Sequence, residues 1–282
     1  MFLAFREILR AKTRFGLLMA AVALLVFLIL TQQALQAGLI TSFVGAIERQ
    51  SAPVLVYSVD GQRTLQGSVI TPALEARVEA VPGVAASGDI GQATFTVTVD
   101  GEQPSDAALI GYERADLGAP DALTSGRLPR AAGEAVGSAG AYALGGRVVV
   151  AGATGAGPRL RVVGLAADAQ IQVTPTLFVA WADYAAAVRA ANPDAASVLP
   201  SAIGVSPASG LAPAELAARI NDASAEADAL TRTQAAEESP GVAQVKRSFQ
   251  LIFLLFALVV PLVTGLFFLI VTLQKSRSLT LL

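Results

Sequence analysis

The sequence predicts an α+β protein anchored in a membrane: two transmembrane helices flank one mixed domain that lies outside the cytoplasm. Three observations predict it. Two long apolar segments lie towards the two ends of the 282-residue chain, whose mean hydropathy is +0.58. The stretch between them alternates short strand patterns with short helix patterns. Charge is divided, with basic ends and an acidic middle.

The chain opens on MFLAFREILRAKTR, residues 1–14. Phe2, Phe5 and Leu9 share one stripe, with Ile8 beside it, and Arg6 and Arg10 lie four apart on another face. That pattern predicts an amphipathic helix lying in the bilayer interface, apolar side chains in lipid and arginines toward the headgroups. FGLLMAAVALLVFLIL follows, from Phe15 to Leu30. It spans only if the residues after Thr31-Gln32-Gln33 continue the helix, which sets a first span at 15–36. A cleaved signal peptide also begins with basic residues and a short apolar run. The patterned leader and the lack of an A-x-A cleavage site favour a retained span. Leu35, Leu39, Phe43 and Ile47 then recur every four residues and predict a helical stalk over 37–50.

The second span is LIFLLFALVVPLVTGLFFLIVTL, 251–273, with no charge in 23 residues. As a helix it measures roughly 34 Å, against a hydrocarbon core of about 30 Å. Its 18 Leu, Ile, Phe and Val residues favour insertion by at most about 5–11 kcal/mol. It is apolar on every face, unlike a surface helix. Pro261 removes a backbone hydrogen bond in mid-span and Gly265 adds freedom one turn later, so a hinge is expected there. Val242, Val245 and Phe249 fit one face of a second stalk, 241–250. Residues 274–282 begin a segment on the far side.

Orientation follows from charge. The two ends carry six basic and one acidic residue, and the stretch between the spans 14 basic and 21 acidic. Basic flanks gather on the cytoplasmic side. Both termini are therefore expected inside a bacterial plasma (inner) membrane, with the central domain, 51–240, outside.

Within that domain VLVYS (54–58) predicts a strand. Thr71-Pro72 starts a helix, with a capping hydroxyl and proline at the first position; ALEARVEA follows and Pro82-Gly83 stops it. ATFTVTVD (93–100) alternates strictly and turns at Asp100-Gly101. AALIGYE predicts the next strand, Ser138 to Leu144 a short helix ended by Gly145-Gly146, and TLFVAW (176–181) a strand. DYAAAVRAA predicts a helix ended by Asn192-Pro193. SAIGVS, PAELAARINDA and ADALTRT predict a final strand, helix and strand. LGAPDALTSGRLPRAAGEAVGSAG (117–140) is the most loop-like stretch.

RVVVAGATGAGPRLRVVG, 147–164, begins like a nucleotide-binding turn, but it fails as one. Such a turn opens a helix whose free N–H groups face phosphates. Here Pro158 leads into RLRVVG, where Leu160 and Val162 alternate against Arg159 and Arg161, so the stretch predicts a β-hairpin. Asp168 is also too near to serve a ribose. The chain has no Cys and no His, which removes thiolate metal sites, the usual general base and the Ser-His-Asp triad. It has no P-loop and no G-x-S-x-G. Asp100, Glu102 and Asp106, and Glu226 and Asp228, lie in turns without a calcium-loop spacing. The acidic domain disfavours nucleic acid. No catalytic residue, metal site or cofactor is expected.

The layout resembles the MacB/FtsX-like family of ABC-transporter permeases. FLAFREILRAKTRFGLL is similar to that family's start, PALEARVEAVPGV to its helix and "lpGV", SGRLP to its "GR-x-P", RLRVVGLAAD to its "VVG" strand, and TPTLFVAWADYAAAV to the strand and helix that follow. QKSRSLTLL is similar to the start of its cytoplasmic coupling segment. The resemblance implies a two-lobed domain: a porter-like mixed α/β lobe from 51–100 and 185–240, and an inserted, mostly β, sabre-like lobe from 101–184. It implies a permease that is not an enzyme. Its partners would be a separate cytoplasmic ABC ATPase, contacting Lys275, Arg277, Thr280 and Leu281, and a second permease chain, the same or a paralogue, in the lipid bilayer. Members continue through "LRA-x-G" into two more spans, so a chain ending at Leu282 is expected to be a fragment or a truncated relative. The other reading of two spans around an external domain is a sensor or receptor without its cytoplasmic signalling part, or an anchored scaffold. The transported substrate has no signature in the sequence.

Overall fold

A computed structural model describes residues 12–195 and 197–279. The chain divides into two units, one holding the two apolar helical segments and the other comprising Leu39–Ala243.

In the first unit the helices run unbroken through their polar and proline positions. α1 runs over Lys12–Glu48 without a break at Thr31-Gln32-Gln33. The Thr31 hydroxyl donates to the Phe27 carbonyl at 2.8 Å, which satisfies it inside the helix. The last long helix (α6 below) covers Pro240–Leu279 and continues past Pro261. Near that proline the Thr264 hydroxyl donates to the Val260 carbonyl at 2.8 Å. By length and composition Met19–Glu48 and Pro240–Leu266 are long and apolar enough to cross a membrane. Large apolar side chains such as Phe27, Leu254 and Leu258 are about two-thirds exposed in the chain itself. Contiguous apolar surface of that extent belongs in a non-aqueous surround.

The second unit is built on one ten-stranded sheet. In chain order its elements are β1 (Val54–Ser58), α2 (Pro72–Glu79), β2 (Val84–Val99), β3 (Ser105–Tyr112), β4 (Ser125–Gly126) and β5 (Glu134–Ser138). Then come β6 (Arg147–Gly152), β7 (Gly155–Ala166), β8 (Thr176–Ala180), α3 (Trp181–Ala191), β9 (Ala202–Pro207), α4 (Pro213–Ala223), β10 (Ala227–Thr231) and α5 (Arg232–Glu237). The strand order is β10-β1-β9-β2-β3-β8-β5-β7-β4, with β6 pairing both β2 and β7. Most pairs are antiparallel; β3 with β8 and β5 with β7 are parallel.

β2 is the strand on which the sheet turns. Its first half pairs with β9, up to Ile90 against Ala202. Its second half pairs with β3 and, at Val97 to Val99, with β6. Only that second half has the strict alternation, so the strand begins nine residues earlier than the sequence pattern predicts. Asp100 and Gly101 take positive φ (48° and 84°), as a tight hairpin turn requires.

Helices cover the sheet where alternation leaves apolar faces. α2 starts as expected: the Leu74 N–H donates to the Thr71 hydroxyl at 3.2 Å. Leu74 and Val78 bury against Val54, Val56, Leu216 and Ile220. α3 sets Tyr184 and Ala187 among Phe95, Val97, Leu109, Val148 and Leu160. A third cluster holds Leu55, Tyr57, Ile110, Phe178 and Leu230.

Two expectations need correction. Ser138 to Leu144 is not a helix: Ser138 ends β5, and a chain of turns follows. Gly140 has φ of 89°, the Ala139 N–H is drawn to the Ala166 carbonyl at 2.7 Å, and Tyr142 folds back over Gly137. The loop-like stretch 117–140 also contains β4 and β5. β5 escaped notice because only Ala135 and Val136 in it look like strand core; Gly137 must be small to seat Tyr142. Its approach is fixed by Arg127, whose guanidinium grips Glu134 at both oxygens, at 2.7 Å in one bond. That grip and backbone N–H donors from Arg130 and Ala131 hold the Glu134 carboxyl down at about 2. The Gly126-Arg127 element therefore has a structural role at the mouth of β5.

Candidate functional site

The candidate site lies where α1 ends and α6 begins, within the Leu39–Ala243 unit. Val44, Ala46 and Ile47 from α1 and Val242 from α6 are buried in the same hydrophobic cluster. Phe43 lies against Gly241; a Cβ there would stand 3.0 Å from the ring. The stalk rhythm of Phe43 and Ile47 and the second rhythm starting at Val242 thus meet in one core.

Residues 167–175 clasp the end of α1. The Ala46 N–H donates to the Gln170 carbonyl at 2.8 Å. In return the N–H groups of Gln172 and Val173 donate to the carbonyls of Phe43 and Ser42, at 2.9 and 2.8 Å. Gly45 permits this closeness, because a Cβ at that position would sit 2.0 Å from the Asp168 carbonyl oxygen. The loop is bent to fit: Asp168, Gln172 and Val173 all have positive φ, and for branched Val173 (62°) that conformation is costly. Arg49 and Asp168 add an exposed ion pair at 3.6 Å.

The exit from α1 is held by main chain. Ser51 N–H donates to the Ala119 carbonyl at 2.9 Å and Asp121 N–H to the Arg49 carbonyl at 2.6 Å. Buried Gln50 closes a local ring, its amide donating to the Ala52 carbonyl (3.0 Å) and accepting from the Ala52 N–H (2.6 Å). Arg232, at the start of α5, donates to the Gln50 carbonyl (2.7 Å) and to Asp121 (3.2 Å).

The approach to α6 is held by side chains. α5 has a capping box between Thr231 and Gln234. Arg63, at φ 61°, bonds Asp228 at 2.8 Å and also pairs with Glu238, two residues before α6. The Asp228 bond, then the nearby charges, raise the Arg63 pKa, with burial opposing. Between the helix ends lies a cavity of about 270 Å³, lined by Phe43, Ile47, Leu65, Gln92, Ile171 and Gly241 among others. Gln92 is buried, and its side-chain oxygen has no hydrogen-bond partner.

Of the residues singled out by sequence, Pro261 and Gly265 lie one turn apart in α6, and a Cβ at Gly265 meets no atom within 4 Å. Lys275 and Arg277 fall in its last turns. Phe2, Phe5, Arg6, Leu9, Arg10, Thr280 and Leu281 lie outside the described residues. The stretch 147–164 is the expected hairpin, with Val148 opposite Leu160 and Gly152 opposite Gly155. Among the described residues no three His, Cys, Asp or Glu side chains gather as a metal site. The clasp, Arg63 and Arg232 were missed. Two signals pointed at them: a glycine such as Gly45 inside a helical rhythm marks a place where backbone can come close, and the T-x-x-Q of Thr231 and Gln234 announces α5.

No protein family and no curated protein matches the chain. Solved structures do. The periplasmic region of MacB from Actinobacillus actinomycetemcomitans aligns at TM-score 0.45 and 12% identity, over 66% of this chain and 92% of that one. The extracellular domain of the noncanonic ABC-type transporter YknZ from Gram-positive bacteria aligns at 0.40 and 14%, over 63% and 99%. A permease-protein domain from Porphyromonas gingivalis aligns at 0.39 and 16%, over 65% and 89%.

Proposed function

We propose that this chain is a permease subunit of an ABC transporter of the mechanotransmission type. A separate cytoplasmic ATPase would bind the segment around Lys275, Arg277, Thr280 and Leu281. Its closure would move the second span, and the domain outside the membrane would respond, exporting or extracting a substrate. The observation that carries the reading is the shared anchorage. Residues from the end of α1 and from the start of α6 are buried in one core cluster, so a force along either helix is delivered to the same packed interior. Packed interiors transmit strain, because they are close to crystal density.

The remaining parts of this reading rest on the sequence patterns and on the family resemblance. Both termini face the cytoplasm. The 1–14 leader lies in the interface through Phe2, Phe5 and Leu9, with Arg6 and Arg10 toward headgroups. Pro261 and Gly265 provide a hinge in the second span. Two chains face each other, since two spans enclose no path. The porter-like part comprises 51–100 and 185–240, and the sabre-like part 101–184.

The test uses the full chain in its own membrane. An ABC ATPase is expected to co-purify with the tagged chain and to be lost in the Lys275→Glu, Arg277→Glu double variant. Absence of any ATPase from the intact chain, or retention after charge reversal, refutes the coupling role. The chain has no cysteine, so single cysteines report topology cleanly. Arg130→Cys is expected to react with an impermeant maleimide on whole cells, and Ser278→Cys to be protected.

A further inference from the structure

The β6–β7 hairpin that fails as a nucleotide turn carries a different feature on its outer face. Val148, Val150, Leu160 and Val162 are buried in the core below the hairpin. Strand alternation therefore sends Arg147, Arg159 and Arg161 to the opposite face, and all three are exposed. Arg147 stands directly across from Arg161 in the register, and Arg159 across from Val149. Directly opposed residues lie about 5 Å apart, and residues two apart on a strand roughly 6.6 Å. The three arginines thus share one patch of the hairpin's outer face.

That patch is concave. Arg147, Arg159 and Arg161 line a cavity of about 570 Å³ with Asp100, Val149 and the backbone of Gly101, Gly133 and Gly145. The glycine walls keep it open: a Cβ on Gly101 or Gly145 would meet nothing within 4 Å. Gly133 is fixed from behind, its N–H donating to both oxygens of Asp183 (3.0 and 2.9 Å). Asp100 is partly occupied, accepting from the Arg147 backbone N–H at 2.8 Å.

Charge makes the arrangement unusual. The stretch between the spans has 21 acidic residues against 14 basic, so a partner for each arginine is abundant. The ion pairs among the described residues nevertheless all involve other arginines. Like charges directly opposite across two strands destabilise the pair. Unpaired, mutually repelling guanidinium groups around a glycine-walled hollow are matched to an anion that takes several donors at once, and arginine forks suit tetrahedral phosphate oxygens.

We propose that Arg147, Arg159 and Arg161 form a binding site for a phosphate-bearing anion, either a free oligophosphate or the phosphate of a net-anionic lipid headgroup. It rests on the hairpin geometry and is independent of the transport reading.

The full chain, in nanodiscs of neutral phosphatidylcholine at about 50 mM salt, is titrated with tripolyphosphate. In a second arm its capture by phosphatidylcholine vesicles with and without phosphatidylglycerol is measured. Binding in either arm that falls at least ten-fold in the Arg159→Gln, Arg161→Gln variant supports the site, and the arm that responds identifies the source. Arg130→Gln with Arg189→Gln removes two other exposed, unpaired arginines and is expected to leave binding unchanged. The melting temperature of the Arg159→Gln, Arg161→Gln variant without anion is expected to stay level or rise, since repulsion is relieved; a fall means the arginines are structural. Failure of both probes to bind, equal binding by the variant, or an equal loss in the Arg130, Arg189 control overturns the proposal.

Discussion

Gly45→Ala tests whether the 167–175 clasp holds the end of α1. An added Cβ would stand 2.0 Å from the Asp168 carbonyl oxygen, whereas real contacts stay above 3.0 Å. The loop must retreat by about 1 Å, and both surfaces are backbone, so no side chain can give way. Three bonds of 2.8–2.9 Å, Ala46 to Gln170, Gln172 to Phe43 and Val173 to Ser42, would stretch beyond the 3.5 Å or so at which they cease to count. At about 0.5–1.5 kcal/mol each they represent about 1.5–4.5 kcal/mol. Alanine returns roughly 1 kcal/mol through helix propensity, which leaves a net loss of about 0.5–3.5 kcal/mol. The control is Gly38→Ala on the same helix, where the new methyl meets no atom within 4 Å; it is expected to be neutral or stabilising. Trp181 is the only tryptophan and lies in the sheet-rich unit, so its fluorescence during urea unfolding of the detergent-solubilised chain reports that unit alone. If Gly45→Ala proves no less stable than Gly38→Ala, the clasp does not bear on the helix end.

Asp89 is half-buried beside Glu75, Glu113 and Glu79; burial first, then those charges, push its pKa from 3.8 to about 7. A raised folded pKa favours the fold while the group is protonated, fully so below about pH 4, and the benefit is lost as pH climbs to about 7. The full shift corresponds to about 4 kcal/mol, and solvent screening at a half-exposed site brings it to about 1–2 kcal/mol. Asp89→Asn is therefore expected to exceed wild type by that amount in urea unfolding at pH 8 and to match it near pH 4; equal stability at both pH values contradicts this. Tyr57 is fully buried with an unpartnered hydroxyl, so Tyr57→Phe is expected to stabilise the chain by about 1 kcal/mol, and a loss of more than that in the same assay reveals a partner.

Sequence reasoning succeeded where one local rule decides the outcome. Pro213 to Ala223 is a helix because an amphipathic pattern begins at proline; the 147–164 stretch is a hairpin because Leu160 and Val162 alternate against arginines. It failed where distant residues decide. β5 is a strand because β7 and β8 lie on either side of it, and Gly137 in it has no side chain because Tyr142 needs the room. The first half of β2 has too many glycines and alanines to announce itself, and β9 supplies the pairing. The clasp combines both limits: Gly45 is visible as an anomaly in a helical rhythm, but its neighbour Asp168 is more than a hundred residues away. Arg63 was equally hidden, since its partners Asp228 and Glu238 come together only when β10 has paired with β1.

The two helix ends are not held alike, and the difference bears on how force would pass. The end of α1 is tied by main-chain bonds, through Ala46, Phe43, Ser42, Arg49 and Ser51, and by strained residues that only the native packing sustains. Such contacts are short, directional and lost together. The start of α6 is tied by buried Val242 and by the Arg63–Glu238 pair, in which both side chains are about two-fifths exposed. Exposed pairs contribute about 0–1 kcal/mol and yield gradually. A pull shared by both helices would therefore be resisted at α1 and accommodated at α6, which also carries Pro261 and Gly265. Under the proposed function α1 would act as the anchor and α6 as the moving element.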